Sequence, residues 1–303
     1  MHHPATKEAL EDDYFSEHVL TPGGRRIQRK GEPPAEVRTY EAVNRRVALG
    51  DVFKSFDVTR TLASQAFKVR YKQSALGPIW LVAQPAVLLG VLTLIFSGVV
   101  AIKIPNHISY ATFALVGLTV WGFFQVTLMT GGQAFVSNAA LVRYFPTPRI
   151  TFVLALLAVA LLPLTLMLPA TLIAAGLGPG FGLRTLVTPL LLAWIILFTG
   201  TVTLMLATIT VRFRDLLSLV PFVLQVGLFV TPIAYPFSLA GHKIQVLLAL
   251  NPLSGIIEAW RWAVLGLSPN VLALAVSGAA TLLVAVAAWR IFVREEPLFA
   301  DRI

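Results

Sequence analysis

The sequence contains no cysteine, and from Val58 to Arg214 it contains no aspartate or glutamate. The first absence excludes disulfides and thiolate metal sites and leaves the redox compartment unread. The second removes the carboxylates from which acid–base pairs and hard-cation sites are built. Between the first long apolar run and the end of the connection preceding the last one, the acidic residues are Asp215 and Glu258. His107 and His242 fall in the breaks between runs, so the runs also lack the relays a proton-coupled transporter needs. No G-x-x-x-x-G-K-[ST] stretch is present to cradle a nucleotide phosphate. We therefore expect no catalytic residue, no metal site and no cofactor held by this chain. Energy for uphill work must come from another polypeptide.

Charge is scarce. Charged residues make up 13% of the chain and hydrophobic ones 56%, with a mean hydropathy of +0.77. Soluble domains carry about 25% charged residues, so these are too few to cover a water-facing surface. The apolar residues come in runs of roughly 20 or more, matched to bilayer thickness. The net charge of +9 does not imply nucleic acid, because the cations sit at the ends of apolar runs, where anionic headgroups lie.

Three stretches follow from composition. Residues 1–50 are polar and rich in Pro and Gly (TPGG, GEPP) and read as a flexible cytosolic extension. The opening MHHPATKEALEDD has no apolar h-region, so no secretory signal is expected. Residues 51–78 contain an amphipathic helix from Asp57 onward, with Asp57 or Thr59 as N-cap. Val58, Leu62, Ala66 and Val69 form its apolar face; Arg60, Ser64, Lys68 and Lys72 form its polar face. Such a helix lies flat at the headgroups, and Gly77-Pro78 turns the chain inward.

Residues 79–303 hold six apolar segments: 79–102, 110–130, 150–175, 186–211, the short 216–231, and 271–292. Pro163 and Pro169 in the third are tolerated where neighbouring helices satisfy the freed carbonyls. The stretch 232–270 is apolar but broken by Pro232, Pro236, Gly241, Pro252 and Pro269. Its pieces are too short to span and read as re-entrant or interfacial helices. The expected fold is an all-α integral membrane protein with six transmembrane helices, an N-terminal amphipathic interface helix and a re-entrant hairpin between helices five and six. Cations near span ends on the N-terminal side (Lys54, Arg60, Lys68, Arg70, Lys72, Arg143, Arg149, Arg212, Arg214, Arg290, Arg294, Arg302) outnumber those opposite (Lys103, Arg184, Lys243, Arg261). The positive-inside rule then puts both termini in the cytosol, in agreement with an even span count.

The connection GGQAFVSNAALVRYFPTPRI is too polar to span and too patterned for a plain linker. Phe135, Leu141 and Val142 can share one face of a short helix closed by Pro146 and Pro148, either a simple hairpin connection or a docking helix for a cytosolic partner. KVRYKQSALGPIWLVAQP (68–85), GLTVWGFF (117–124), NAALVRYFPTPR (138–149), VRFRDL (211–216), and TPIAYP with ALNPLSGIIEAWRWAVLG (231–266) occur in order. Together they resemble the membrane subunit of type-2 ABC exporters of polysaccharide, the O-antigen, teichoic-acid and galactan exporters, over roughly residues 51–303.

The resemblance implies a permease in the bacterial cytoplasmic membrane. It would be a homodimer with two copies of a separate ABC ATPase subunit that binds ATP and Mg, and would export a lipid-linked glycan surrounded by membrane lipid. It implies that Asn138, Leu141, Val142, Arg143, Tyr144 and Phe145 belong to an ATPase-coupling helix. The alternatives are a type-2 ABC exporter of a small lipid or drug, and a membrane glycosyltransferase, which the carboxylate-free spans disfavour.

The residue chemistry fits beside it. Aromatic faces offer sugar rings a sequence-tolerant sliding surface, and Tyr110, Trp121, Phe123, Phe124, Tyr235, Phe237 and Trp260 fall at outer span ends or in the hairpin. The plain alternative is an interfacial aromatic belt. Arg212 and Arg214, with Arg70 and Lys72 as competitors, are candidates to meet a substrate pyrophosphate at the cytosolic entrance; positive-inside anchoring is the other reading. Glu258 and Arg261, three apart, are expected to pair.

Overall fold

A computed structural model of the chain describes residues 55–71, 79–144, 147–176 and 182–302. Residues 1–50, Lys72, Gly77-Pro78 and Phe145 lie outside the described residues. Among those described, the regular structure is helical, and five helices are long and apolar enough to cross a membrane.

Helix α1 (Phe56–Tyr71) is the amphipathic segment. It starts one residue before the expected cap, and Thr59 lies inside it, its hydroxyl donating to the Ser55 carbonyl at 3.1 Å. Leu62 turns inward, whereas Val69 is exposed, so the packing face is narrower than the sequence pattern. α2 (Trp80–Thr93) accepts Pro85 internally and loosens into wider i→i+5 winding over Leu94–Val99. α3 (Tyr110–Gly131) is started by Ser109, whose hydroxyl accepts from the Thr112 N–H at 3.1 Å.

Two short helices follow, α4 (Ala134–Ser137) and α5 (Ala139–Tyr144), before the long α6 (Ile150–Gly176) and α7 (Thr188–Arg212). The run at 216–231 becomes α8 (Leu216–Val230), 15 residues long. At about 1.5 Å per residue it reaches about 22 Å against the ~30 Å of a hydrocarbon core. The stretch at 232–270 forms α9 (His242–Ala249) and α10 (Pro252–Leu265), neither of them spanning length. α11 (Val271–Glu295) and the terminal turn α12 (Phe299–Arg302) complete the chain.

Helices between which lipid drives no association are held by close packing and interhelical hydrogen bonds. Thr119 and Thr171 meet hydroxyl to hydroxyl at 2.7 Å between α3 and α6. The Trp194 indole N–H donates to Thr281 at 2.8 Å between α7 and α11. α10 lies against α11 at Gly255, where any Cβ would run into the Ala273 carbonyl and the Ser277 hydroxyl. α10 is buried on nearly every side, the condition under which a short helix survives at membrane depth. α2 and α8 are the opposite: each buries a single residue, Leu92 and Leu224.

Candidate functional site

The connection after α3 is built as an inward-anchored, outward-facing element. Gly131 and Gly132 end α3, and the Thr210 hydroxyl donates to the Gly132 carbonyl at 2.8 Å, tying that end to α7. Asn138 sits at the break between α4 and α5 with its side-chain amide donating to the Ala134 carbonyl at 2.8 Å. The backbone N–H of Val142 bonds back to the Asn138 carbonyl at 2.9 Å and starts the next turn.

Phe135 is fully buried, its ring 4.7 Å from Phe299 and 6.2 Å from Phe292. Val142 is 1% exposed in the same cluster, with Phe152, Leu204 and Val211. Leu141 is 38% exposed. The expected single face of Phe135, Leu141 and Val142 is therefore split. Leu141 looks into a groove of about 400 Å³ whose other wall is α1, through Val58, Thr61, Leu62 and Gln65. Arg143 is half-buried, and Tyr144 ends α5.

Sequence reasoning missed what supports this element from behind. Arg149, counted there as an anchoring cation, is buried, and its guanidinium donates to the Glu296 carbonyl and lies 5.9 Å from the Phe299 ring. α12 packs directly on α5. The signal was a PLF triplet beyond the last span, which periodicity alone does not flag.

The remaining candidates separate into groups. Arg212 and Arg214 are exposed on the turn between α7 and α8, with Arg212 5.2 Å from the Phe213 ring. Arg70, on the last turn of α1, stands elsewhere, at a cavity of about 790 Å³ between α2, α3 and α6. The seven aromatics do not share one surface. Trp121 and Phe123 reach the wall of that cavity, although both side chains are mostly buried. Phe124 stacks on Phe198 at 6.2 Å, and Trp260 is wholly enclosed. Tyr110 is buried with its hydroxyl on the Ala234 carbonyl at 2.7 Å; Phe237 is buried; Tyr235 is half-buried and donates to the Phe229 carbonyl at 3.0 Å.

Arg261 and Glu258 do pair, at 3.7 Å. The guanidinium does more than that. It donates to the carbonyls of Pro232 and Ile233 at 2.6 and 2.7 Å and covers the Phe113 ring at 3.7 Å. With Tyr110 on the next carbonyl, three consecutive acceptors of the α8–α9 connection are held. No cluster of three or more His, Asp or Glu that could hold a metal occurs among the described residues.

Comparison with known proteins adds the family. The family model described as ABC-2 type transporter matches residues 57–265, from α1 to the end of α10. Two relatives from Klebsiella pneumoniae, each named O-antigen export system permease protein RfbA, are 28% and 27% identical over 209 residues, covering 68% of this chain and 79% of theirs. A Myxococcus xanthus protein of the same name is 28% identical over 207 residues, covering 66% of this chain and 77% of its own.

Proposed function

The chain belongs to the ABC-2 type transporter family, and from that premise we propose that it is the multi-pass membrane subunit of an exporter for a lipid-linked polysaccharide, powered by a separate ATPase. The carrying observation is the α4–α5 element: Phe135 and Val142 anchor it inside the bundle while Leu141 faces outward beside α1. A short helix rooted in the bundle and presented outward is what a partner needs to grip in order to move the spans. The relatives' name, O-antigen export permease, supports the substrate class.

In this reading Asn138, Leu141, Val142, Arg143, Tyr144 and Phe145 form the coupling segment, and the ATPase subunit, in two copies, holds ATP and Mg. Two copies of this chain form the path, with α2 and α8 supplying the faces left uncovered in one copy. α8 counts as the fifth of six spans where the bilayer thins locally to meet it, and α9–α10 form the re-entrant hairpin. The positive-inside bias supports cytosolic termini in the bacterial cytoplasmic membrane. Arg212 and Arg214 at the α7–α8 turn, with Arg70 as a separate competitor beside α2, are the cations offered to substrate at the cytosolic entrance. Of the aromatics, the cavity-facing Trp121 and Phe123 and the half-buried Tyr235 are the ones offered to a passing glycan.

The test is affinity purification from native membranes in mild detergent, assayed for ATP hydrolysis and for a co-purifying P-loop subunit near one-to-one. We expect both to be present, and both to be lost when residues 141–145 are replaced by a Gly/Ser linker in a chain that still inserts. A lone protein with no ATPase under several gentle conditions sinks the proposal.

A further inference from the structure

The C-terminal end of α2 departs from regular α geometry. Over Leu94–Val99 its backbone bonds reach one residue further than usual, and the Val100 N–H bonds to the Ile95 carbonyl at 2.9 Å. Ala101 then turns the chain with a φ of 56°, in the left-handed region that residues other than Gly enter at a cost. The Ile102 N–H closes the turn on the Phe96 carbonyl at 2.8 Å. Such wide turns inside a helix are rare and frequently mark functional sites.

Opposing terms act on this wide form. Ala101 is one cost. Thr93 is another: it stands where ordinary winding ends, and its hydroxyl is buried without a hydrogen-bond partner among the described residues. Thr119, Thr127 and Thr171, inside regular α winding, each donate theirs to the carbonyl four residues back. Against these costs, Ile102 gains its bond, and the half-buried Phe96 stacks on Tyr110 with ring centroids 6.0 Å apart and planes 15° from parallel. Little else ties this end. No residue from 94 to 99 is buried, and a side chain at Gly98 would meet open space. Two windings of the same residues are therefore close in free energy, the condition for a populated second state.

We propose that the C-terminal end of α2 is a two-position switch. In one position the turns at 94–99 are wide and Phe96 lies on Tyr110. In the other they tighten to ordinary α winding and the surplus residue passes into the connection after α2. Ala101 then leaves the left-handed region, and the Phe96 ring turns away from Tyr110. Tyr110 gives the switch its consequence, because its hydroxyl donates to the Ala234 carbonyl at 2.7 Å and holds the α8–α9 connection. Once Phe96 leaves, Tyr110 loses its stacked ring and its hold on that connection loosens. α2, which buries only Leu92 along its regular part, thereby passes its position to the segment that begins at the end of α8. The device is set by the fold and does not depend on the export reading.

The experiment uses the full chain in lipid nanodiscs, with para-trifluoromethyl-phenylalanine at position 96 read by fluorine NMR. A ring stacked on Tyr110 and a ring turned away from it differ in shift, so two resonances are expected. Tyr110→Leu should move the one that belongs to the stack. Ala101→Gly removes the left-handed cost and should raise the ratio of stacked to unstacked ring about tenfold. Ala101→Val puts a β-branched residue at an exposed position whose backbone it opposes, and should lower that ratio at least several-fold. Deleting Gly98 takes out the surplus residue and should leave only the unstacked resonance. Backbone hydrogen exchange over residues 231–240, read by mass spectrometry, should be several-fold faster in the valine variant than in the glycine variant.

A single resonance that stays in place in both Ala101 variants overturns the switch, and so does a pair whose ratio neither variant changes. Equal hydrogen exchange over 231–240 in the two variants overturns the link from Phe96 to the α8–α9 connection. If the Gly98 deletion does not elute as folded protein from gel filtration, the two Ala101 variants decide alone, since each alters only the backbone preference at an exposed site. If the resonances respond as expected while no ATPase co-purifies, the switch stands and the export reading falls. The reverse pair of results rejects the switch alone.

Discussion

Arg261 shows how a single residue resolves two conflicting demands. A guanidinium 1% exposed in an apolar hairpin is expensive unless its donors are met. Here one carboxylate, two backbone carbonyls and a ring face share it. The ion pair at 3.7 Å is the looser contact, and the carbonyls at 2.6 and 2.7 Å the tighter. Removing each partner should therefore cost different amounts. Arg261→Gln leaves Glu258 and two carbonyls without their donor and should destabilise by about 3 kcal/mol or more. Glu258→Gln leaves the carbonyl contacts in place and should cost less than half of that. Thermal unfolding of the two variants in the same detergent checks the order; equal losses would show that the ion pair carries the clamp. Gly255 makes a second residue-scale case. Gly255→Val puts branched bulk against the Ala273 backbone, which cannot move as a flexible side-chain tip does. That variant should not accumulate as folded protein, whereas Gly278→Ala, at a position with open space around it, should.

Among the elements, α5 and α12 are the pair to test. Six residues of helix cannot stand alone; α5 is held through Val142, Phe135 and the terminal turn packed behind it. Phe299, touching Phe135, Phe292 and Arg149, is the keystone of that support. If α4–α5 is the coupling segment proposed above, Phe299→Ala should leave an ATPase subunit bound but lower the polysaccharide exported per ATP hydrolysed at least several-fold, because the segment then yields instead of pushing. Phe299→Leu, which refills most of the volume, should restore the ratio. Export per ATP in reconstituted vesicles measures it, and an unchanged ratio in the Ala variant would remove α12 from the transmission path. The absence of cysteine helps here. A cysteine pair joining α5 to α12 would be the only disulfide possible, and if the two move as one body, closing it should leave export intact.

At the scale of the whole molecule, polar ends and apolar middle define a membrane protein with α4, α5 and α12 at one end and α9–α10 with Tyr110 at the other. Single cysteines at the exposed Leu141 and Leu239 should accordingly label from opposite sides of the membrane, Leu141 from the cytosol. Labelling from the same side would break the assigned orientation. Much of this was legible in one dimension. Long carboxylate-free apolar runs have one stable solution in lipid, the hydrogen-bonded helix, so element type and most boundaries followed from composition. So did a short helical connection after α3, expected as one helix where the chain forms two, and the pairing of Glu258 with Arg261, both local in sequence. What the chain alone could not show was which way a side chain faces once every side of a helix is apolar. Periodicity is silent there, because a lipid-facing leucine and a core leucine are the same letter. Only packing separated buried Trp260 from cavity-facing Trp121, turned Leu141 away from Val142, set Arg149 against a C-terminal turn far along the chain, and brought Arg70 together with Gln84 and Gln125. Those are long-range encounters, decided by how helices stack rather than by any segment's own preference.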